Sequence, residues 1–272
     1  MSDPLPPDLA AALAAADARL GPFGRLYYFS EVDSTNDVAL ALAAAGAPEG
    51  TSVVADLQRA GRGRRGRSWF SPPGAGLYLS VIVGAAQRAG PLSLVTLGAG
   101  VAAADAVAAV TGLPVELKWP NDLVIGRPWR KLAGVLCESV GLGARVDAVV
   151  VGIGINLRTA AYPREIADHA TSVETELGRP VDRAPIVIEC LTRLQGAVDT
   201  LRDGRGETIC QAWRRLGRAG FEQASVRWHD EGRERRGMAR DIDDAGALVV
   251  ECEGQMERLI AGEVTWDRLS HD

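Results

Sequence analysis

The chain has 272 residues and a net charge of −5, with 47% apolar and 24% charged residues. This composition supplies enough apolar side chains for a large buried core, and it excludes a chain that is disordered throughout. The acidic balance argues against a general nucleic-acid binder, because affinity for phosphates requires a basic surface.

Helices and strands alternate in the first part of the chain. An alanine-rich helix is predicted over 8–20, and Leu26–Val32 has the pattern of a strand. The next helix begins at Ser34 or Thr35, either of which can cap it, and ends near Gly46. The elements predicted next are a strand over Thr51–Leu57, a long loop over Gln58–Gly76, a strand over Leu77–Val83 and a helix over Leu92–Val110.

Short strands dominate the second part of the chain. Tight turns separate four of them, which indicates an antiparallel meander over Val115–Trp119, Leu123–Ile125, Lys131–Ser139 and Arg145–Leu157. Two helices are predicted over 183–202 and 206–217, and short alternating segments near the carboxyl end indicate a small β-barrel. We therefore expect an α+β domain with a mixed, largely antiparallel sheet over 1–218, followed by a small domain over 219–272.

The long loop is rich in glycine and arginine, and residues 61–67 read Gly-Arg-Gly-Arg-Arg-Gly-Arg. Its three glycines match a dinucleotide-binding fingerprint. No helix start follows them, however, and no acidic residue lies between Asp56 and Asp105, so a Rossmann site is not expected. The arginines instead predict an anion-binding loop, because guanidinium groups pair with carboxylate and phosphate oxygens. A solvated surface loop or a nucleic-acid contact is the alternative.

Both lysines of the chain stand in short polar motifs. Lys118 opens the run Lys-Trp-Pro-Asn-Asp, and Lys131 opens the run Lys-Leu-Ala-Gly-Val-Leu-Cys-Glu. Every other basic residue is arginine, so these two positions favour a need for the compact ammonium group of lysine. Two further motifs are Ser-Thr-Asn over 34–36 and Val-Gly-Ile-Gly-Ile-Asn-Leu over 151–157. Singly, each motif has an ordinary explanation as a cap, a turn or strand packing.

Together and in this order, the motifs resemble those of the biotin protein ligases, which attach biotin to the carrier protein of a carboxylase. The resemblance implies a mixed sheet backed by helices, related to class II aminoacyl-tRNA synthetases, and a small SH3-like barrel. It implies biotin and ATP as substrates, with Mg²⁺. The two would form biotinyl-5′-AMP and pyrophosphate, and a lysine amine of the biotin carboxyl carrier protein would then displace AMP.

The resemblance also implies roles for individual residues. Lys131 and Arg62 are the catalytic residues expected to neutralise the approaching oxyanions, and Asp122 is expected to orient either a metal ion or the incoming amine. No other protein ligand for a metal is predicted. The biotin-binding residues are predicted to be Ser34, Thr35, Asn36, Gln58, Arg62, Gly63, Arg64, Lys131 and Gly134. The ATP- or AMP-binding residues are predicted to be Arg64, Arg65, Arg67, Trp69, Lys118, Asn121 and Asn156.

Closure of the arginine-rich loop is a further expectation. Biotinyl-AMP is prone to hydrolysis, so a loop that orders over it would exclude water. Residues 59–70 are therefore expected to be mobile without ligand and ordered around biotinyl-AMP. Trp69 is expected to cover the ligand when the loop closes.

Several features bear on location and partners. The residues before Ser34 are too few for the DNA-binding domain that some relatives carry, so a ligase without a repressor domain is expected. No apolar run approaches the roughly 18 residues of a membrane span, and no secretory signal is evident. The scattered cysteines predict no structural zinc site. We expect a cytoplasmic protein without nucleic-acid or membrane partners, as a monomer or a homodimer.

Two rival functions are weighed against this one. A lipoate–protein ligase shares the fold and the chemistry, but the glycine- and arginine-rich loop argues against it. A non-enzymatic nucleic-acid-binding module would use the same arginines. The sequence pI of about 5.4 and the lack of interleaved aromatic residues disfavour that module.

Overall fold

The computed structural model describes residues 2–84, 91–142, 145–217, 224–230, 233–260 and 264–266. The helices are α1 (Pro7–Leu20), α2 (Thr35–Ala44), α3 (Leu92–Thr111), α4 (Val173–Leu177), α5 (Arg183–Arg202) and α6 (Gly206–Leu216). The strands are β1 (Leu26–Val32), β2 (Ser52–Gln58), β3 (Gly76–Val83), β4 (Glu116–Lys118), β5 (Asp122–Ile125), β6 (Arg130–Leu142), β7 (Arg145–Asn156), β8 (Ser225–Asp230), β9 (Arg233–Ile242), β10 (Leu248–Cys252), β11 (Gln255–Leu259) and β12 (Thr265–Trp266).

Seven strands form one mixed sheet in the order β1-β2-β3-β7-β6-β5-β4. Strands β1 and β2 are parallel because helix α2 crosses between them, and every other neighbouring pair is antiparallel. The prediction of a mixed, largely antiparallel sheet is confirmed. Helix α4, which the sequence patterns did not reveal, begins at Ser172, whose hydroxyl accepts a hydrogen bond from the Thr175 amide.

The carboxyl-terminal strands form a second, antiparallel sheet in the order β11-β10-β9-β8-β12. The short alternating segments predicted near the carboxyl end, over 225–228, 235–241, 248–251 and 255–261, correspond to β8–β11, whereas the two-residue strand β12 was not predicted. The predicted boundary at 218–219 lies outside the described residues, and the division into two domains stays a prediction.

The two faces of the larger sheet are covered differently. Alternation along the strands turns Val54 and Val81 toward the main core, which contains residues of α1, α3, α5 and α6. Val53, Ile82 and Val150 point to the other face and pack against α2 in a small separate cluster. Because α2 is short, it covers only part of that face and leaves room beside it for a cavity.

Helix α3 meets the length and hydropathy of a membrane span, contrary to the expectation that no segment would. In the structure, 67% of the 18-residue stretch that meets this test is buried inside the protein. Its glycines allow close packing, since a Cβ at Gly98 would lie 3.5 Å from the side chain of Ala197. The helix is therefore a component of the protein core, as the predicted buried helix over Leu92–Val110 required.

Candidate functional site

A cavity of about 360 Å³ lies beside α2 on the same face of the larger sheet. Two rows of paired residues form its floor. In one row Gly154 pairs with Tyr78 on β3 and with Gly134 on β6, and Gly134 pairs in turn with Asp122 on β5. In the next row, Gly152 lies between a serine of β3 and a leucine of β6. Small residues at the centre of both rows make the floor deep.

Two glycines of β7 are required by what lies above them. A Cβ at Gly154 would lie 2.7 Å from the indole of Trp69, and a Cβ at Gly152 would lie 2.3 Å from Oδ1 of Asn36. Separations below 3 Å force a neighbour to move. The alternating glycines therefore let the loop tryptophan and the start of α2 lie directly on the sheet.

One end of the cavity is polar, neutral and buried. The backbone amide and the hydroxyl of Thr35 donate to Oε1 of Gln58, at 2.9 and 3.0 Å. The Ser80 hydroxyl lies 2.6 Å from Oδ1 of Asn36 and donates to it. Ser34 is the N-cap residue of α2, but its side chain makes no capping hydrogen bond. These groups offer both donors and acceptors, which suits a neutral polar ligand such as a urea-like ring.

The arginine-rich loop folds over the cavity. Gly63 and Arg67 are joined by a backbone hydrogen bond of 2.7 Å, and Arg65 adopts the left-handed conformation with φ of 56° between them. The backbone amide of Trp69 donates to the Gly61 carbonyl at 2.8 Å. This tight turn brings several arginines and the tryptophan to one side of the cavity.

Arg62 is held by two carboxylates. Its guanidinium lies 2.7 Å from Asp37 and 2.8 Å from Glu138. Glu138 also accepts a hydrogen bond of 2.7 Å from the side-chain amide of Asn36. The predicted catalytic cation Arg62 is therefore already compensated within the protein.

The other end of the cavity is charged. The ammonium group of Lys131 lies 2.5 Å from the carboxylate of Asp122 and 5.4 Å from the centre of the Trp69 ring. The sequence left a metal ion and an incoming amine open as partners of Asp122. In the structure the carboxylate contacts Lys131. Asp122 pairs with Gly134, and this pairing places its side chain on the cavity face of the sheet.

Burial lowers the pKa of two further cations at the charged end. The pKa of Lys118 is lowered first by burial and also by Lys131, while Asp122 opposes the shift. Burial also lowers the pKa of Arg64, whose guanidinium donates to Oδ1 of Asn121 at 3.3 Å. Desolvation destabilises a charge unless an opposite charge comes close, so both cations favour an anionic ligand.

The smaller sheet contributes to the same cavity. Thr265 and Trp266 of β12 belong to its lining, and the buried indole of Trp119 donates to the Gly246 carbonyl at 3.1 Å, joining the two sheets. Among the described residues, neither Trp69 nor Trp266 has a hydrogen-bond partner for its buried indole N–H.

The structure gathers the predicted site residues with one exception. The lining includes Ser34, Thr35, Asn36, Gln58, Arg62, Gly63, Arg64, Arg65, Arg67, Trp69, Lys118, Asn121, Asp122, Lys131 and Gly134. Asn156 is not in the lining. Its buried side-chain amide donates to the backbone carbonyls of Lys131 and Thr171, at 3.4 and 3.0 Å, and so secures the start of β6.

Several residues of the site were not predicted from the sequence. These are Tyr78 and Leu79 of β3, Trp119 and the three residues at 264–266. Most of them carry no motif of their own, and Trp119 lies inside the Lys-Trp-Pro-Asn-Asp run but was given no role. A buried tyrosine on a glycine-bordered strand was the only available signal for Tyr78. No local signal existed for β12.

The lining holds no protein cage for a metal ion. Across the described ranges, no group of three or more His, Cys, Asp or Glu side chains lies close enough together to bind one. Asp122 is a single carboxylate paired with Lys131.

The chain was compared with known protein families. The model of the biotin/lipoate A/B protein ligase family matches residues 28–156, and that of the biotin protein ligase C terminal domain matches residues 225–265. The first match contains α2, the arginine-rich loop and both lysine motifs, and the second contains β8–β11 and the first residue of β12.

Individual proteins and solved structures are also similar to this chain. The biotin–[acetyl-CoA-carboxylase] ligase of Paracoccus denitrificans is 36% identical over 86% of this chain and 98% of its own length. The ligase of that name from Mycobacterium tuberculosis is 36% identical over 86% of each chain. A structure of biotin protein ligase from Aquifex aeolicus in complex with biotin and ATP has a TM-score of 0.77 and 29% identity, covering 90% of this chain and 99% of that one.

Proposed function

This chain belongs to the biotin protein ligase family, and we propose that it joins biotin to a carboxylase carrier protein with ATP as co-substrate. The observation that carries the proposal is a single cavity with two chemically different ends. The neutral, hydrogen-bonding end near α2 suits the ring system of biotin, and the cationic end around Lys131 suits a carboxylate and phosphates.

The first half-reaction brings two anions together. The biotin carboxylate must approach the α-phosphate of ATP, and their mutual repulsion is the main electrostatic obstacle. Lys131 is positioned to lie between them, held by Asp122 at 2.5 Å and beneath the ring of Trp69. Charge stabilisation of this kind is worth most in a site that excludes water. The carboxylate attacks phosphorus, pyrophosphate leaves and biotinyl-AMP remains.

Separate groups of residues serve the two substrates. The biotin end of the cavity is formed by Ser34, Thr35, Asn36, Gln58, Gly63 and Gly134. The nucleotide is surrounded by Arg64, Arg65, Arg67, Lys118 and Asn121. Arg62 contributes its charge from a position between the carboxylates of Asp37 and Glu138. These arginines serve a nucleotide substrate rather than a nucleic acid.

In the second half-reaction, an uncharged lysine amine of the carrier protein attacks the acyl carbon of biotinyl-AMP. The amide forms, AMP leaves and the amine loses its proton. Water would compete for the same acyl carbon, so the loop over 58–76 has to keep the cavity closed until the carrier arrives. Trp69 belongs to that loop. It packs against Gly134 and Gly154 of the sheet and acts as the lid.

The setting of the reaction follows from its substrates. ATP enters as its magnesium complex, with the metal held by phosphate oxygens and water, as Mg²⁺ generally prefers. The cytoplasm supplies both ATP and carboxylases, and the free state of all four cysteines agrees with a reducing compartment. We accordingly place the enzyme in the cytoplasm.

A paired-substrate assay tests the function. The full chain is given ATP and radiolabelled pyrophosphate, with either biotin or lipoate, and exchange of label into ATP is followed. We expect exchange with biotin only, followed by biotin transfer to a purified carrier domain. Exchange with lipoate alone, or tight salt-sensitive nucleic-acid binding without any exchange, would overturn the proposal in favour of the corresponding rival.

A further inference from the structure

Glu138 stands at a junction between the cavity and the loop. Strand β6 turns Gly134, Leu136 and Glu138 toward α2, because alternate residues of a strand share a face. One oxygen of the Glu138 carboxylate accepts from the side-chain amide of Asn36 at 2.7 Å and from the guanidinium of Arg62 at 2.8 Å. No role for Glu138 follows from the reaction itself, since Glu138 is not among the residues that line the cavity.

A second carboxylate completes the arrangement. Asp37, the neighbour of Asn36 in the first turn of α2, lies 2.7 Å from the same Arg62 guanidinium. The base of the arginine-rich loop is therefore tied to both β6 and α2. The side-chain nitrogen of Asn36 donates to Glu138 and its single side-chain oxygen accepts from Ser80, so the amide has one orientation that satisfies both neighbours.

We propose that Glu138 is a positioning residue which, together with Asp37, clamps Arg62 and so holds the arginine-rich loop closed over biotinyl-AMP. This inference rests on the proposed function. The carboxylate clamp (Asp37 and Glu138) contributes in two ways. It anchors the loop at its base, and it links that anchor to Asn36 at the biotin end of the cavity.

The stabilisation by the clamp comes from its geometry, because solvent partly screens each of its ion pairs. The side chain of Glu138 is 27% exposed and that of Arg62 is 38% exposed. An isolated pair with such exposure contributes modestly, but two carboxylates on one guanidinium form a network. Loss of one carboxylate should therefore loosen the loop without unfolding the domain.

The test variant is Glu138→Gln, which keeps the side-chain shape and a hydrogen-bond acceptor for Asn36 but removes the charge that faces Arg62. Its matched control is Glu116→Gln, which breaks the Glu116–Arg127 pair at 2.9 Å outside the cavity, with similar side-chain exposures of 24% and 47%. Circular dichroism and melting temperature confirm that each variant is folded.

Two quantities are measured. The first is the rate at which preformed biotinyl-AMP escapes from the enzyme, and the second is the rate of trypsin cleavage after the loop arginines, in the free enzyme and with biotin plus ATP. For Glu138→Gln we expect both rates to rise about threefold to tenfold, the change that ~0.7 to 1.4 kcal/mol produces. Glu116→Gln should match the wild type in both. Unchanged rates in a folded Glu138→Gln would overturn the proposal.

A double-mutant cycle separates positioning from a merely structural effect. If Glu138 acts through Arg62, adding Glu138→Gln to Arg62→Ala should change escape and cleavage less than twofold further, because the clamped group is already gone. If Glu138→Gln still had its full effect on escape and cleavage in the Arg62→Ala variant, Glu138 would act through Asn36 and not through Arg62. That result would overturn the clamp. Should Glu138→Gln fold poorly, Asp37→Asn, at a half-exposed carboxylate, takes its place in the same cycle.

Failure of the clamp is distinguishable from failure of the proposed function. Wild-type enzyme that forms no biotinyl-AMP would refute the ligase assignment. The trypsin comparison on the free enzyme would still report whether Asp37 and Glu138 restrain the loop. Normal adenylate formation with equal escape from both variants would refute the clamp alone.

Discussion

The two ends of the cavity differ in burial and in charge. At the biotin end, Thr35, Asn36 and Ser80 are at most 4% exposed, and their polar atoms are paired with one another, with Gln58 or with Glu138. At the nucleotide end, Lys131 and Asp122 keep side-chain exposures of 37% and 26%. Buried neutral groups are tolerable only when hydrogen-bonded in advance, whereas charges need water or a charged ligand. Recognition is therefore built from groups that are paired in advance, whereas the charged end relies on solvent until a charged ligand and the lid cover it.

The largest expected effect comes from the charged end. Lys131→Ala should lower biotin-dependent pyrophosphate exchange about 100-fold to 1,000-fold, because the transition-state charge loses its ammonium group. Biotin affinity, measured by titration calorimetry, should change much less, since the neutral end is untouched. Near-normal exchange in a folded variant would remove Lys131 from the mechanism and blur the contrast between the ends.

A smaller effect is expected where the two ends meet beneath the lid. Gly154→Ala places a Cβ 2.7 Å from Trp69 and should displace the indole, lowering kcat for adenylate formation about tenfold. Gly196→Ala is the control, because it lies within α5 and no atom lies within 4 Å of its added Cβ. Equal kinetics in the two variants would show that the lid does not need the glycine floor.

The neutral end should respond in affinity rather than in rate. Ser80→Ala leaves Oδ1 of Asn36 buried without its donor, which costs about 1–3 kcal/mol. We expect a several-fold weaker biotin Kd by calorimetry and a lower melting temperature, with the KM for ATP within twofold of wild type. A change in the KM for ATP with unchanged biotin affinity would reverse the assignment of the two ends.

The smallest effect concerns pH. Burial lowers the pKa of Lys118 below its ordinary value of 10.5, so its charge is lost at a lower pH than usual as pH rises. The KM for ATP should therefore increase on the alkaline side before an ordinary lysine would titrate. Lys118→Arg should remove this increase, because arginine keeps its charge throughout. Identical alkaline profiles would exclude Lys118 from nucleotide binding.

Local patterns predicted most elements of the fold. The segment Leu26–Val32 was predicted with both ends correct, and the helices α5 and α6 agree within a residue. Alternation and helical periodicity are properties of a few neighbouring residues, and they survive folding. Strand β12 has two residues, too few for any period, and the prediction missed it.

The candidate site divides in the same way. The arginine-rich loop and the two lysine motifs identified most of the lining, because these residue types match the chemistry they serve. The pairing of Arg62 with Glu138 joins residues 76 positions apart, and Trp266 reaches the cavity from the second sheet. Asn156, predicted to bind the nucleotide, instead holds backbone carbonyls.

The amino-acid sequence by itself determined which chemical groups are available: a guanidinium-rich turn, two isolated ammonium groups and a short polar run ahead of a helix. Only the tertiary structure decided which of these charges are compensated. Strand register turns Asp122 and Glu138 toward the cavity face of the sheet, where they contact Lys131 and the loop residue Arg62, and register depends on pairing between distant segments. Electrostatic energies depend on separations of a few ångströms, which sequence spacing does not specify.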